Sequence, residues 1–141
     1  MDSRTRDERL DVTAALIFDQ GRVLVSLRPD GRFWEFPGGK RFPGESLPAC
    51  LAREIEEELG LEVAVLERFM TVDRDGEPPF RLHVFRCRIE AGRPRNLGVA
   101  DWAWSRPEDL EPERFLPADR EIIRALRTSA NGGPKAGKER T

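Results

Sequence analysis

Residues 38–61, GGKRFPGESLPACLAREIEEELGL, constrain the fold of this chain more than any other stretch. A glycine loop, Gly38-Gly39-Lys40, leads through the turn Phe42-Pro43-Gly44-Glu45 into an acidic segment that stops at Gly60. Ser46 is a favoured N-cap, Pro48 is tolerated in a first turn, and Gly60 suits the left-handed residue that ends a helix. The spacing therefore predicts a helix over 47–59. At about 100° per residue, Glu54, Glu57 and Glu58 share one stripe and Leu47, Leu51, Ile55 and Leu59 share the adjoining one. The carboxylates thus border the buried face. Like charges at these spacings oppose a helix by about a few tenths of a kcal/mol per pair in water, and by more where water is thin. A divalent cation reverses that sign, and magnesium and manganese favour oxygen ligands of this kind.

The rest of the composition narrows the options. A chain of 141 residues is long enough for one domain with a proper core. A net charge of −2 gives no basic field for duplex nucleic acid. Two cysteines, Cys50 and Cys87, with no CxxC pair and one histidine, speak against a zinc site and a disulfide framework. Both are expected to be reduced core residues of a cytoplasmic protein. No run reaches membrane-spanning length, and the polar start MDSRTRDERL lacks the apolar core of a signal peptide.

Taken in order, residues 1–10 read as a flexible arm, 11–128 as the domain and 129–141 as a disordered tail. Val12 to Phe18 and Val23 to Leu27 flank the turn Asp19-Gln20-Gly21 as a hairpin. Phe33 to Phe36 is a short strand feeding the glycine loop. Leu61 to Val72 is β-rich, 73–79 is a polar loop, and Leu82 to Ile89 and Ala100 to Trp104 are strands. Ser105-x-x-Glu108 has the form of a capping box, and a last helix over about 118–128 turns Ile122, Ile123 and Leu126 inward. Strands on both sides of one acidic helix, with a second helix at the end, predict an α/β fold: a mixed sheet flanked by helices.

The fixed positions of 38–61 are Gly39, Glu45, Arg53-Glu54-Ile55, Glu57-Glu58 and Gly60-Leu61. This pattern resembles the complete Nudix box. The seven fixed types among them, leaving aside the apolar Ile55 and Leu61, would at about 7% each arise by chance on the order of once in 10⁸ starting positions. Trp34-Glu35-Phe36-Pro37-Gly38-Gly39-Lys40 before the box, and Trp104 through Phe115-Leu116-Pro117-Ala118-Asp119 after it, are similar to the MutT subgroup. The resemblance implies an α/β/α sandwich and a pyrophosphohydrolase that uses Mg²⁺ or Mn²⁺. Its substrate would be a small-molecule nucleotide: a nucleoside triphosphate such as 8-oxo-dGTP, or a cytidine-type nucleotide. The enzyme would be a monomer or homodimer. An ADP-ribose or nucleotide-sugar hydrolase and a non-catalytic nucleotide sensor are the alternatives. Sensors on this scaffold usually degrade the box glutamates, and here all are present. The chain has no tyrosine, unlike dinucleoside polyphosphate hydrolases, and Pro78 and Pro79 lie about where the ADP-ribose branch carries a proline.

On this resemblance Glu54, Glu57 and Glu58, with the carbonyl of Gly38, are the metal ligands. Arg53 orients the glutamates and Glu45 closes the loop against the helix. Arg28, Phe36, Lys40 and Asp119 fall in the substrate-binding set, with Asp119 facing the base as an acceptor when ionised and also as a donor when protonated, or starting the last helix. One position departs from the subgroup. A glutamate often stands six residues before the tryptophan matched to Trp104, and here that residue is Gly98; Asp101, Glu77 and Glu58 are the candidates to replace it.

Overall fold

A computed structural model describes residues 9–132. Its centre is β1 (Leu10–Asp19), whose apolar run is buried on both faces. Ala14 and Leu16 point to one side, and Ala15 and Ile17 to the other. A strand covered on both faces needs apolar residues at successive positions, which is why this run does not alternate. β1 turns through Gln20 and Gly21, both left-handed at φ 54° and 79°, into β2 (Arg22–Leu27). That backbone matches the twist of a two-residue hairpin.

The remaining strands are β3 (Trp34–Glu35), β4 (Glu62–Arg74), β5 (Phe80–Ala91) and β6 (Asp101–Ser105), with helices α1 (Leu47–Leu59) and α2 (Pro117–Gly132). The sheet order is β3-β2-β1-β5-β4, with β6 on β2. β1 and β5 run parallel from Leu10↔Phe80 to Ile17↔Cys87, and the other pairs are antiparallel, so the sheet is mixed. α1 covers one face, packing Leu51, Ile55 and Leu59 on Ala15, Ile17 and Leu24. α2 covers the other, packing Ile122, Ile123 and Leu126 on Ala14, Leu16, Val23 and Val25. This is the expected α/β/α sandwich. Truncating a side chain as enclosed as Ile55 would cost about 2–5 kcal/mol. Cys50 and Cys87 are buried and free. Among the described residues, no helix is long and apolar enough to cross a membrane.

Three local expectations change. Leu10 opens β1 rather than ending an arm, and Arg9 donates to the Arg74 carbonyl at 2.6 Å; residues 1–8 lie outside the described residues. α2 continues to Gly132, so its last turns take in residues 129–132 of the expected tail, and 133–141 lie outside the described residues. Ser105 makes no capping box. It ends β6, its hydroxyl donates to the Arg106 carbonyl, and Arg106 precedes a 3₁₀ turn (Pro107–Asp109) that has no side-chain cap. Glu108 accepts from Arg106 Nε at 3.0 Å instead.

Candidate active site

α1 forms where its caps predict. Ser46 Oγ accepts from the Ala49 amide at 3.1 Å, and Gly60 closes the helix at φ 70° with its amide on the Glu56 carbonyl. The loop 92–98 then folds back over this end. Arg95 donates to the Leu59 carbonyl, and Leu97 and Gly98 donate to the Glu58 carbonyl. Gly98 therefore packs directly on the turn that carries Glu58.

The glycine loop is shaped by the stretch of β1 that β2 leaves unpaired. Ala15 donates to the Pro37 carbonyl and Thr13 to the Gly39 carbonyl, both at 2.8 Å, and Arg41 donates to the Asp11 carbonyl at 2.9 Å. In an extended segment alternate carbonyls point to opposite sides. With those of 37 and 39 spent on β1, the Gly38 carbonyl faces the other way. A Cβ at Gly38 would collide with the Thr13 carbonyl, and a Cβ at Gly39 would collide with the Glu54 carboxylate. At Gly38 the neighbour is backbone that cannot give way, while at Gly39 an added Cβ would push the Glu54 carboxylate from its place.

Arg53 is the hub beside this loop. Its Nε and Nη2 grip Glu45 at 2.6 and 3.0 Å, Nη1 reaches Glu54 at 3.1 Å and Glu57 at 3.3 Å, and Nη2 reaches the Lys40 carbonyl at 3.2 Å. The guanidinium also stacks 3.8 Å from the Phe42 ring centroid. The hydrogen bonds from Arg53 hold the Glu45 carboxyl down at about 2. Glu57 stands apart from its stripe partners, with its carboxylate on Arg53 and its side chain 58% exposed. Among the described residues, no three acidic, histidine or cysteine side chains are gathered closely enough to hold a metal ion by themselves.

Glu54 and Glu58 instead face a cleft of about 1180 Å³ between α1, the glycine loop, the 73–78 loop and the start of α2. Burial first, and then the charges of Glu35 and Glu54, push the Glu58 carboxyl up to about 9. Its Oε1 is buried with no hydrogen-bond partner. An orphaned carboxylate oxygen costs free energy that a cation can recover. Glu58, Glu54 and the free Gly38 carbonyl therefore fit a hard divalent ion.

Gly38, Arg28, Phe36, Lys40 and Asp119 also line the cleft, while Glu45, Arg53 and Glu57 lie outside it. Asp119 is in the first turn of α2, 5% exposed, with Oδ2 accepting from the Phe36 amide at 2.9 Å. Burial pushes its carboxyl up to about 8, against the pull of that amide. At neutral pH it therefore presents a proton as well as an acceptor, the protonated of the two forms open to it. Phe36 is 2% exposed and packs its ring 5.8 Å from that of Phe115, so it supports Asp119 through its amide and forms the cleft floor. Of the candidates to replace the residue missing at Gly98, Glu77 and Glu58 line the cleft. Asp101 does not, and its carboxylate accepts from the Trp102 amide at 2.8 Å.

Glu35 has a place in this cleft that the sequence reading did not assign. It lies in the cleft wall, paired with Arg28 at 3.0 Å, and burial raises its pKa. An acid beside Trp34 in a two-residue strand that enters the glycine loop was the available signal. Thr13, the one polar residue inside the β1 run, likewise holds the Gly39 carbonyl through its hydroxyl at 3.1 Å.

The chain resembles known proteins over nearly its whole length. The NUDIX domain model matches residues 7–126. A Mycobacterium tuberculosis protein named "Putative 8-oxo-dGTP diphosphatase 2" is 38% identical over 131 residues, covering 86% of this chain and 90% of its own. An Escherichia coli protein named CTP pyrophosphohydrolase is 31% identical over 122 residues, covering 83% of this chain and 90% of its own. The solution structure of the E. coli ORF135 protein superposes with a TM-score of 0.78 at 27% identity, covering 94% of this chain and 99% of that one. A Nudix box on the expected fold, with Glu54 and Glu58 on one cleft, agrees with all three, and the chain belongs to the NUDIX domain family as a hydrolase of the MutT-like type.

Proposed function

We propose that the chain hydrolyses a nucleoside triphosphate, an oxidised purine such as 8-oxo-dGTP or a cytidine-type nucleotide, to the monophosphate and pyrophosphate, and so sanitises the nucleotide pool. The observation that carries this reading is a single cleft lined both by Glu58, with its unpartnered oxygen, and by the buried Asp119. Relatives named for 8-oxo-dGTP and CTP support the substrate class.

Glu54, Glu58 and the Gly38 carbonyl would hold Mg²⁺ or Mn²⁺, with Glu57 joining from the same helix stripe. Bound there, the metal would neutralise phosphate charge and lower the pKa of a water molecule. Arg53 holds Glu54 by a charge-assisted bond and is itself fixed by Glu45. Lys40 and Arg28 supply positive charge along the cleft for the phosphates. Glu58 and Glu77, which line the cleft, would be the acids that take a proton from a water attacking the β-phosphorus. Asp119, braced by the Phe36 amide, would read the base. The enzyme would work in the cytoplasm as a monomer or homodimer. A second reading, an ADP-ribose or nucleotide-sugar hydrolase, draws on Pro78, which lies in the cleft wall.

A screen that reads pyrophosphate release from canonical and oxidised nucleoside triphosphates, and nucleoside monophosphate release from ADP-ribose and nucleotide sugars, decides between them. Release from a triphosphate at the highest kcat/KM supports the first reading. Turnover of ADP-ribose or a nucleotide sugar alone removes it.

A further inference from the structure

The chain's single histidine lies away from the cleft, yet it is wired to it. His83 is 7% exposed on β5, the strand parallel to β1. Its Nδ1 lies 2.6 Å from Arg68 Nη1, and its Nε2 lies 2.9 Å from Asp11 Oδ1. A guanidinium only donates, so Nδ1 accepts and Nε2 carries the hydrogen that Asp11 receives. Asp11 gives its other oxygen to Arg41, at 3.3 Å from Nε and 3.1 Å from Nη2, and its carbonyl to the Arg41 amide. Arg41 Nη1 in turn donates to the Glu45 carbonyl at 3.2 Å. From Glu45 the chain of bonds passes through Arg53 to Glu54.

We propose that Asp11 is a positioning residue for the metal-binding end of the cleft. Oriented by His83, it fixes Arg41, and through Arg41 it fixes the Glu45 turn that aims Arg53 at Glu54. The backbone of the glycine loop does not depend on this chain of bonds, because Thr13 and Ala15 hold residues 39 and 37 by main-chain bonds. What the chain sets is the aim of long, flexible side chains beyond that loop. The Asp11–Arg41 pair is itself partly exposed, at 29% and 32%, and a pair of that kind adds little to global stability. Its loss should therefore register at Glu54 far more than in unfolding. The proposal rests on Glu54 holding the metal.

The test compares wild type, Asp11→Asn, Arg41→Met, Arg41→Lys and Glu54→Gln. Mn²⁺ affinity is read by electron paramagnetic resonance of the free ion without nucleotide, kcat and KM by steady-state kinetics, and stability by thermal unfolding. Asp11→Asn and Arg41→Met should each weaken Mn²⁺ binding by about 10- to 100-fold and lower kcat comparably. KM should change little, and the unfolding midpoint should move by no more than about 4 °C. Arg41→Lys, which keeps one donor, should recover part of both losses. Wild-type Mn²⁺ affinity and kcat in Asp11→Asn would overturn the proposal, as would losses that only track the unfolded fraction. If Asp11→Asn fails to fold, Arg41→Met carries the same test, because it leaves Asp11 with His83. Glu54→Gln separates two kinds of failure. Weakened binding in Glu54→Gln with none in Asp11→Asn removes the relay alone. Unchanged binding in Glu54→Gln removes the metal assignment and the relay with it.

Discussion

Glu58 and Asp119 are both buried acids on one cleft, and both hold their protons far above the ordinary range, up to about 9 and about 8. Their neighbours differ. Asp119 rests one oxygen on the Phe36 amide, and the nearest charges, Glu35 and Arg28, oppose each other. Glu58 also meets a backbone amide, that of Gly38, but it faces the two acids Glu35 and Glu54 and leaves Oε1 with no partner. Burial alone does not assign a role to a carboxylate; what remains unsatisfied beside it does. An acid crowded by two others, with one oxygen unsatisfied, calls at Glu58 for a cation that would ionise it. A braced carboxyl that keeps its proton calls for a hydrogen-bonding partner such as a base at Asp119.

The comparison breaks first at kcat. Glu58→Gln should lower kcat by about 10²- to 10³-fold, comparable with removing one preorganised electrostatic group. Asp119→Asn, by contrast, should leave kcat on a poor substrate nearly unchanged. Equal losses in steady-state assays of the two variants would erase the distinction. Selectivity should show the reverse. Asp119→Ala should raise KM for the best substrate and flatten the preference among 8-oxo-dGTP, dGTP, dCTP and dTTP by about 10- to 100-fold, the cost of one unmade buried hydrogen bond. An unchanged order with unchanged kcat/KM ratios would leave Asp119 as nothing more than the first turn of α2.

Stability against pH sharpens the same contrast. A carboxyl whose pKa is raised on folding binds its proton more tightly in the native state. The stability it contributes is present below its unfolded pKa and is lost as pH rises through the folded one. In EDTA, the unfolding midpoint should therefore fall as pH climbs from about 5 toward the folded values of about 8 for Asp119 and about 9 for Glu58. Glu58→Gln and Asp119→Asn should each remove part of that slope, and Mg²⁺ should restore only the Glu58 part. Restoration by Mg²⁺ in Glu58→Gln as large as in wild type would count against this division. The smallest effect is expected at Asp101. Asp101→Asn should keep kcat, because its carboxylate serves the Trp102 amide outside the cleft, whereas Glu77→Gln should lower it. A kcat loss confined to Asp101→Asn would reverse that order.

How legible the molecule was in its sequence depended on range. The caps of α1 and its apolar stripe are local, so Ser46, Gly60, Leu51, Ile55 and Leu59 could be placed from spacing alone. The β1 run was legible because burial on both faces leaves a plain apolar signal. The stripe of glutamates was also legible, but not its division: spacing cannot show that Arg53 draws Glu57 away while Glu54 and Glu58 turn to the cleft. The bond from Phe36 to Asp119 spans 83 residues, and the one from His83 to Asp11 spans 72; no periodicity encodes such pairs. The expected capping box at Ser105 failed because the strand pairing of β6 holds Ser105 against Val23, leaving Arg106 to precede the turn.

The most direct test of the cation site at Glu58 is a calorimetric titration of Mn²⁺ at pH 7.5, repeated in buffers of different ionisation enthalpy. If a protonated Glu58 must ionise to take the metal, wild-type binding should release close to one proton, because metal ligands bind deprotonated. Glu58→Gln should bind far more weakly and release none, and Asp119→Asn should bind and release as wild type does. Wild-type binding without proton release, or full binding and release in Glu58→Gln, would contradict the account.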